Sequence, residues 1–599
     1  MSFPDLRVFL EQLRRDRDLV QIEAEVDPFL EAAEIHRRVI AANGPALLFS
    51  NVRGATYPLV TNLFGTARRA ELAFGERPHR LIKRLVDLLE TAMPPTPSKL
   101  WGARDVGLEL LKIGLTRGRR GPVTEVVTDD VRLDRLPALT TWPEDGGPFV
   151  TLPLVYTEHP DKGGHNLGMY RLHVHDARTT GLHWQIGKGG GFHYSVSEAR
   201  DEPLPVTVFL GGPPALMLSA IAPLPENAPE LMLASLIAGQ RLKLVEGPWS
   251  HPLVGSAEFA LLGEVRPHER RPEGPFGDHY GYYSLQHDYP VFRVKTLAHR
   301  HDAIYPATVV GKPRQEDFFI GDLLQELLSP LFPVVMPAVE QLWSYGETGY
   351  HSLSAAVVKQ RYGREAMASA FRILGEGQLS LTKFLLVTDQ PVDLKDFSAT
   401  LEHVLCRTRP ETDLYVFGNL SMDTLDYTGP EVNKGSKGVW LGLGDPIREL
   451  PREFSSSDLP RDVTDVRVFC GGCLVVGARA FADDPDAPVR VAGHPAFADW
   501  PLVVLTDEPV RATRSPINFL WTTFTRFEPA ADIYAASTSV QRNQLMRTPP
   551  IVIDARLKPG FPTELSCRDD IASRVTERWR EYFPSGGVEM GDSEMGHLD

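Results

Sequence analysis

The sequence predicts a multidomain α/β protein with a β-rich centre, and three observations carry that prediction. The chain has 599 residues, more than one ordinary core holds at roughly 100–200 residues per domain. Its hydrophobic periodicity changes twice, from mixed, to strand-rich, to alternating strand and helix. A unit in its C-terminal half occurs twice.

Residues 5–17 predict an amphipathic helix with Leu6, Phe9, Leu10 and Leu13 on one face. Further helices are expected near 28–42 and 78–93, with strand-like runs between 46 and 63. The PPTPS at 94–98 ends this mixed region. From about 123 to 310 the runs VTEVV, VTLPLVYTEH, YRLHVH, LPVTVFLGG, LKLVEG, FALLGEV and YPVFRVKTLAH read as short strands between turn clusters. One helix, near 229–238, interrupts them. This spacing suits a barrel or sandwich better than a parallel sheet.

After 315 the pattern is α/β. LLVTDQPV at 385–392 is echoed by VVLTDEPV at 503–510, and CRTRPETDLYVFG at 406–418 by TRFEPAADIYAAS at 525–537. The offsets are 118 and 119 residues, so the register holds to within one residue and a duplicated β-α-β-like unit is expected. Lys383 has Pro501 as its counterpart, so the shared fold does not demand a lysine there. The expected segments are 1–122, 123–315, 316–450 and 451–599, the last repeating the α/β unit.

A net charge of −15 argues against general nucleic-acid binding, which needs a basic surface, and leaves room for a local anion pocket. No run is expected to reach the roughly 18–20 apolar residues of a membrane span, so no membrane partner is expected. The first 26 residues lack the layout of a signal peptide, and four cysteines fit a reducing, cytoplasmic setting. Cys470 and Cys473 form a CxxC without a second ligand pair, which favours two small buried residues over zinc.

Three stretches carry candidate chemistry. WQIGKGGGFHY, 184–194, is a glycine-rich loop that lacks the Ser or Thr after Lys188 of a nucleotide phosphate loop. GGHNLGMYRLHVHD spans 163–176. In RRPEGPFGDHYGYYSL, 270–285, Glu273 and Asp278 flank Gly-Pro-Phe-Gly. Gly274 and Gly277 permit a tight excursion that turns both carboxylates to one cavity. Two carboxylates sharing a site cannot both ionise cheaply, so one should be pushed up toward a general acid; an arginine between them would hold one ionised and free the other to shuttle.

GGHNLGMYR, LPENAPE at 224–230, PEGPFGDHYGYY and TKFLLVTD at 382–389, in that order, resemble the UbiD family of reversible (de)carboxylases. The resemblance runs from near residue 1 to about 445, and IVIDARLKP at 551–559 looks like the family's tail, with 450–550 an extension. It implies an N-terminal α/β region, a central flavin-reductase-like split β-barrel, and a C-terminal α/β domain used for dimerisation, here with a duplicated unit. It also implies a carboxy-lyase acting on an aromatic, heteroaromatic or α,β-unsaturated carboxylic acid. Loss of CO2 from an sp² carbon leaves charge that needs an electron sink, supplied in this family by prenylated FMN. A prenyl-FMN synthase is the implied supplier, and a homodimer or higher homo-oligomer the implied assembly.

Carried over residue by residue, the resemblance makes Asp278 the proton donor, Arg171 the group that orients the network against the cofactor, and Glu273 the support of Arg171. The segment Asn166, Leu167, Gly168, Met169, Tyr170 and Arg171, with Lys188, Glu230 and Lys383, would bind the cofactor. Asn166 and Glu230 would hold Mn²⁺ or Mg²⁺, with K⁺ alongside. The family carries a histidine in a stretch like W-Q-I-H-K, whereas Gly187 stands there in this chain. Three repairs are open: His193 folds back, Lys188 neutralises the phosphate directly, or the cofactor binds weakly or not at all. His183 reaches the same face as Gly187 only without an intervening bulge. The rival expectation is a non-catalytic or regulatory subunit.

Overall fold

In the computed structural model, residues 3–91, 113–161, 163–184, 189–222, 229–312, 314–456 and 458–592 are described. The contacts group the chain into two units: residues 1–327 together with the tail from 564, and residues 328–563.

The first unit begins with the helix Leu6–Arg15, capped by the Asp5 carboxylate on the Val8 N–H. It buries Leu6, Phe9, Leu10 and Leu13, the face the periodicity predicts, because positions i, i+3, i+4 and i+7 share one stripe. A four-stranded sheet follows, ordered Leu19–Ile22, Ala46–Phe49, Leu59–Thr61 and Tyr305–Pro306. The tail helix Asp569–Tyr582 docks on the helix Glu31–Ala41, with Glu31 Oε1 2.6 Å from both Arg578 Nη1 and Tyr582 Oη.

The centre of this unit is a nine-stranded sheet. Its main path runs Phe149–Val150, Leu172–Val174, Thr179–Leu182, His287–His299, Phe259–Glu273, Leu204–Leu210, Leu154–Glu158 and His165–Met169, and Val126–Thr128 pairs with His287–His299. The pairings along this path are antiparallel, and a bulge between Val265 and Arg270 bends the long central pair. A bulge adds local twist, which suits a sheet that curls into a half-barrel. Val206, Val208, Leu261, Phe292 and Leu172 fill one face, and Leu154, Tyr156, Phe209 and Leu262 are buried on the other. The helix Glu230–Ala238 stands where one was expected.

Two expectations are corrected. The glycine run is not a loop throughout: Gly189–Glu198 is a ten-residue helix. Local propensity disfavours glycine in a helix by about 1 kcal/mol each, and here packing overrides it, with Gly190, His193, Tyr194 and Ser197 buried. One stretch, Glu316–Val335, does have the length and composition of a membrane span. It is broken into Glu316–Leu328, Ser329–Leu331 and Phe332–Val335, with prolines at 330 and 333 and carboxylates at 316, 317, 322 and 326.

In the second unit the repeat is structural. One five-stranded sheet runs Val339–Ser344, Leu353–Val358, Phe384–Thr388, Lys434–Gly442, Leu414–Ser421. The other runs Val463–Cys470, Cys473–Ala478, Leu502–Thr506, Gln544–Asp554, Ile533–Gln541. Both pair antiparallel, parallel, parallel, antiparallel. Matched details recur at the sequence offsets. Asp413 accepts the Arg409 N–H at 2.8 Å, and Asp532 accepts the Glu528 N–H at 2.7 Å. Phe384 of one copy and Phe527 of the other meet at 5.6 Å in a shared core. Cys470 and Cys473 are buried and face each other across the Gly471–Gly472 turn, and burial pushes the Cys473 thiol up.

Candidate active site

Arg171 leaves the end of the strand His165–Met169, and Glu273 ends the long strand Phe259–Glu273. The chain then turns sharply and returns through Tyr283–Ser284, paired with Phe276–Gly277. A Cβ on Gly277 would lie 2.0 Å from Trp142 Cδ1, so only glycine lets the turn close on that buried ring. Asp278 is held in the turn by its N–H to Tyr282 O at 3.1 Å and its carbonyl to the Gly281 N–H at 2.9 Å.

This turn brings three of the sequence-predicted residues together. Arg171 Nε donates to Glu273 Oε1 at 2.8 Å and Nη2 to Oε2 at 3.0 Å, a bidentate pair. Arg171 Nη1 donates to Asp278 Oδ2, and Nη2 also reaches Ser284 Oγ at 3.0 Å. The guanidinium lies 4.5 Å over the Phe276 ring. Glu273 is fully buried, and its Oε2 also meets His183 Nδ1 at 3.1 Å. The His183 ring stacks on Tyr289 at 4.3 Å.

The electrostatics correct the expectation that one carboxyl is pushed up. Burial raises Glu273, but Arg171 and His183 outweigh it and hold the carboxyl at about 2. Burial raises Asp278 too, but His279 and Arg171 hold it below the usual carboxylate range. Arg171 serves both carboxylates rather than one, so both ionise in the resting site. Its own proton is held more tightly than usual: burial works against the charge, and Glu273 and Asp278 overcome it. A raised carboxyl beside the pair is Asp317, in the first turn of the helix Glu316–Leu328. Burial pushes it up to about 6, with His279 opposing and Asp278 adding to the rise.

His279 and Ser284 are the site residues that motif reading misses, and His183, considered there only for the place at 187, is bound to Glu273 instead. His279 Nδ1 lies 2.7 Å from Asp278 Oδ1, and its backbone N–H donates to the same oxygen at 2.8 Å. About a quarter of the His279 side chain is exposed, so it joins the buried acid to solvent. Its place next to Asp278 was the available signal.

A second cluster forms at the outer edge of the strand His165–Met169, the last strand on the sheet path. Gly189 has φ +41°, and a Cβ there would fall 2.2 Å from Asn166 Oδ1 and 2.8 Å from Tyr170 Oη. The start of the glycine helix therefore closes on Asn166 and Tyr170. Leu167 turns its side chain into the core, and its N–H is taken by the Glu230 carboxylate. Met169 packs against the core, and Gly168 lies under the Tyr170 ring. Asn166 Nδ2, Glu230 Oε2 and His165 Nε2 are all buried without a hydrogen-bond partner. Burial pushes Glu230 up to about 7.

Orphaned buried polar atoms beside a helix start, where backbone N–H groups favour an anion, fit a phosphate with its bridging cation. Asn166 and Glu230 offer oxygen donors of the kind Mn²⁺ and Mg²⁺ take. Of the histidines considered for the empty place at 187, His193 Nδ1 is engaged with Thr157 Oγ1 at 2.8 Å, and His183 belongs to Glu273. Gly187 and Lys188 lie outside the described residues. Lys383 belongs to the second unit, buried, with Nζ 2.7 Å from Asp426 Oδ2. A cavity of about 220 Å³ lined by Phe29, Arg53 and Leu133 shares no residue with either cluster.

Comparison with known proteins gives three family matches in chain order. The N-terminal domain of 3-octaprenyl-4-hydroxybenzoate carboxy-lyase (UbiD) matches residues 10–89, its Rift-related domain 115–313, and its C-terminal domain 318–442. A protein of Chlamydia pneumoniae named as a 4-hydroxybenzoate decarboxylase subunit is 50% identical over 589 residues, 98% of this chain and 99% of that protein. Vanillic acid decarboxylase of Sedimentibacter hydroxybenzoicus, in its closed form, has a similar fold, with TM-score 0.65 and 24% identity over 77% of this chain and 96% of that one. So has an evolved dimeric form of the UbiD-class enzyme HmfF from Pelotomaculum thermopropionicum in complex with prFMN, with TM-score 0.60 and 22% identity over 76% and 97%.

Proposed function

From the premise that this chain belongs to the UbiD family of carboxy-lyases, we propose that it decarboxylates an aromatic, heteroaromatic or α,β-unsaturated acid with prenylated FMN. The observation that carries the reading is the buried Glu273–Arg171–Asp278 network, in which one guanidinium is clamped by one carboxylate and holds a second. The name of the Chlamydia relative makes 4-hydroxybenzoate the first substrate to try.

Prenylated FMN, when bound, supplies the sink for the electron pair left by C–CO2 cleavage. Asn166 and Glu230 would hold its phosphate through Mn²⁺ or Mg²⁺, with K⁺ alongside, and the cation would neutralise phosphate charge. This chain's own residues handle the substrate carboxylate and the proton. Glu273 fixes the plane of Arg171 by two parallel hydrogen bonds, so Arg171 Nη1 stays aimed at the space beside Asp278. A substrate carboxylate entering that space competes for Arg171 and places a like charge against Asp278, which raises its affinity for a proton. Asp278 takes that proton by way of His279, which touches its Oδ1 and reaches solvent. As CO2 leaves, Asp278 delivers the proton to the vacated carbon and returns to the ionised state that Arg171 stabilises. The reverse order of the same steps is carboxylation, and CO2 pressure sets the direction.

Co-expression with a prenyl-FMN synthase, as the cofactor supplier, tests the reading. The purified protein should carry a flavin absorbance band and release CO2 from 4-hydroxybenzoate or a related acid. A protein that takes up no flavin would refute the decarboxylase reading and favour a non-catalytic subunit of a larger assembly. A flavin-loaded protein should sediment as a homodimer or larger.

A further inference from the structure

The chain lacks a histidine at 187, yet the strand edge that carries Asn166 presents another imidazole. His165 Nε2 lies 3.7 Å from Glu230 Oε2. That separation is too long for a hydrogen bond, and neither atom has any other partner although both are buried. Buried polar atoms that make no hydrogen bond cost free energy.

The spacing suits a cation. Two donors each about 2.1 Å from one ion and 3.7 Å apart subtend about 120°, and a right-angled octahedral pair asks for about 3.0 Å. A small side-chain rotation, about 0.7 Å, covers the difference. Asn166 Nδ2, the third orphan, belongs to an amide whose oxygen and nitrogen exchange places by a half turn. Side chains of successive strand residues point to opposite faces, which would separate His165 from Asn166 inside a sheet. Here the strand is the last on its path, Glu230 sits on its edge, on the Leu167 N–H, and Tyr170, hydrogen-bonded to the Asn166 side chain, feels the Glu230 charge. His165 is also braced by stacking on Tyr156 at 5.3 Å, which fixes the ring plane as ligand imidazoles require.

We propose that His165 supplies the imidazole ligand of a divalent-cation site completed by Asn166 and Glu230, in place of the histidine missing at 187. This rests on the flavin-phosphate reading above. The test uses the full-length chain loaded with FMN and MnCl2, read by pulsed electron paramagnetic resonance of bound Mn²⁺ and by flavin absorbance. Wild-type protein should show nitrogen modulation from one histidine, altered when the protein is grown with ¹⁵N-histidine. His165→Gln should lose that modulation, keep the flavin, and bind Mn²⁺ at least about tenfold more weakly. His193→Gln should keep both. His165→Asn serves if His165→Gln does not fold. Modulation retained without His165, or Mn²⁺ bound in the wild type with no nitrogen signal, would overturn the assignment. Flavin uptake without Mn²⁺ binding would overturn the site and leave the flavin reading standing. No flavin uptake would remove both.

Discussion

Replacing Glu273 by glutamine tests the site where its electrostatics are strongest. The carboxylate is fully buried and takes three hydrogen bonds, from Arg171 Nε, Arg171 Nη2 and His183 Nδ1. These hold it at about 2 against an ordinary 4.5, a gap worth about 3 kcal/mol. Because the folded value lies below the unfolded one, this stabilisation is fully present above about pH 4.5 and is lost as pH falls toward 2. Glu273→Gln keeps the shape but replaces one acceptor oxygen by a donor facing Arg171, leaving a buried guanidinium half-paired. Hydrogen exchange followed by mass spectrometry reads the local opening. At pH 7, peptides covering 165–182 and 270–287 should exchange up to about two orders of magnitude faster in the variant. The wild type should lose the difference between about pH 4.5 and 2, and kcat/KM should fall by at least about 100-fold because Arg171 is no longer oriented. Equal protection in the two proteins at pH 7, or an unchanged acid branch, would refute the claim that the Glu273–Arg171 pair organises the site.

Two further substitutions separate chemistry from binding. Asp278→Asn should abolish turnover while the protein retains its flavin absorbance, since in the proposed mechanism Asp278 moves a proton and does not hold the phosphate; full activity would remove it as the acid. Gly189→Ala places a methyl 2.2 Å from Asn166 Oδ1 at a positive φ, so Asn166 must move by about 1 Å or the helix start must shift, at a cost of about 1–3 kcal/mol. Flavin affinity measured by fluorescence titration should weaken by about tenfold or more, with thermal stability far from the site unchanged. Unchanged affinity would show that the glycine helix start does not face the phosphate.

Much of this molecule is legible in its sequence. The helix face of Leu6, Phe9, Leu10 and Leu13 follows from spacing alone, because helix geometry is local. The duplicated unit shows as two offsets of 118 and 119, and both copies fold into sheets of the same order because the same buried strands and caps recur in register. Glu273 and Asp278 stand out from their stretch, since Gly-Pro-Phe-Gly favours a turn wherever it occurs, and Arg171 from the resemblance to the UbiD family. Local sequence misleads at GGGFHY, where tertiary packing outweighs the poor helix propensity of glycine.

By itself the sequence determined the family, the broad order of strand-rich and α/β segments, and the trio Arg171, Glu273 and Asp278, because these depend on short-range pattern. Only the tertiary structure decided how those groups behave. A proton affinity depends on the sum of burial and neighbouring charge, and both neighbours of Arg171 are held ionised because it sits between residues 102 and 107 positions away. The same holds for the empty place at 187. The sequence shows that a histidine is missing there, and only the edge of the folded sheet shows His165, already in the chain, facing Glu230 across the strand's outer rim.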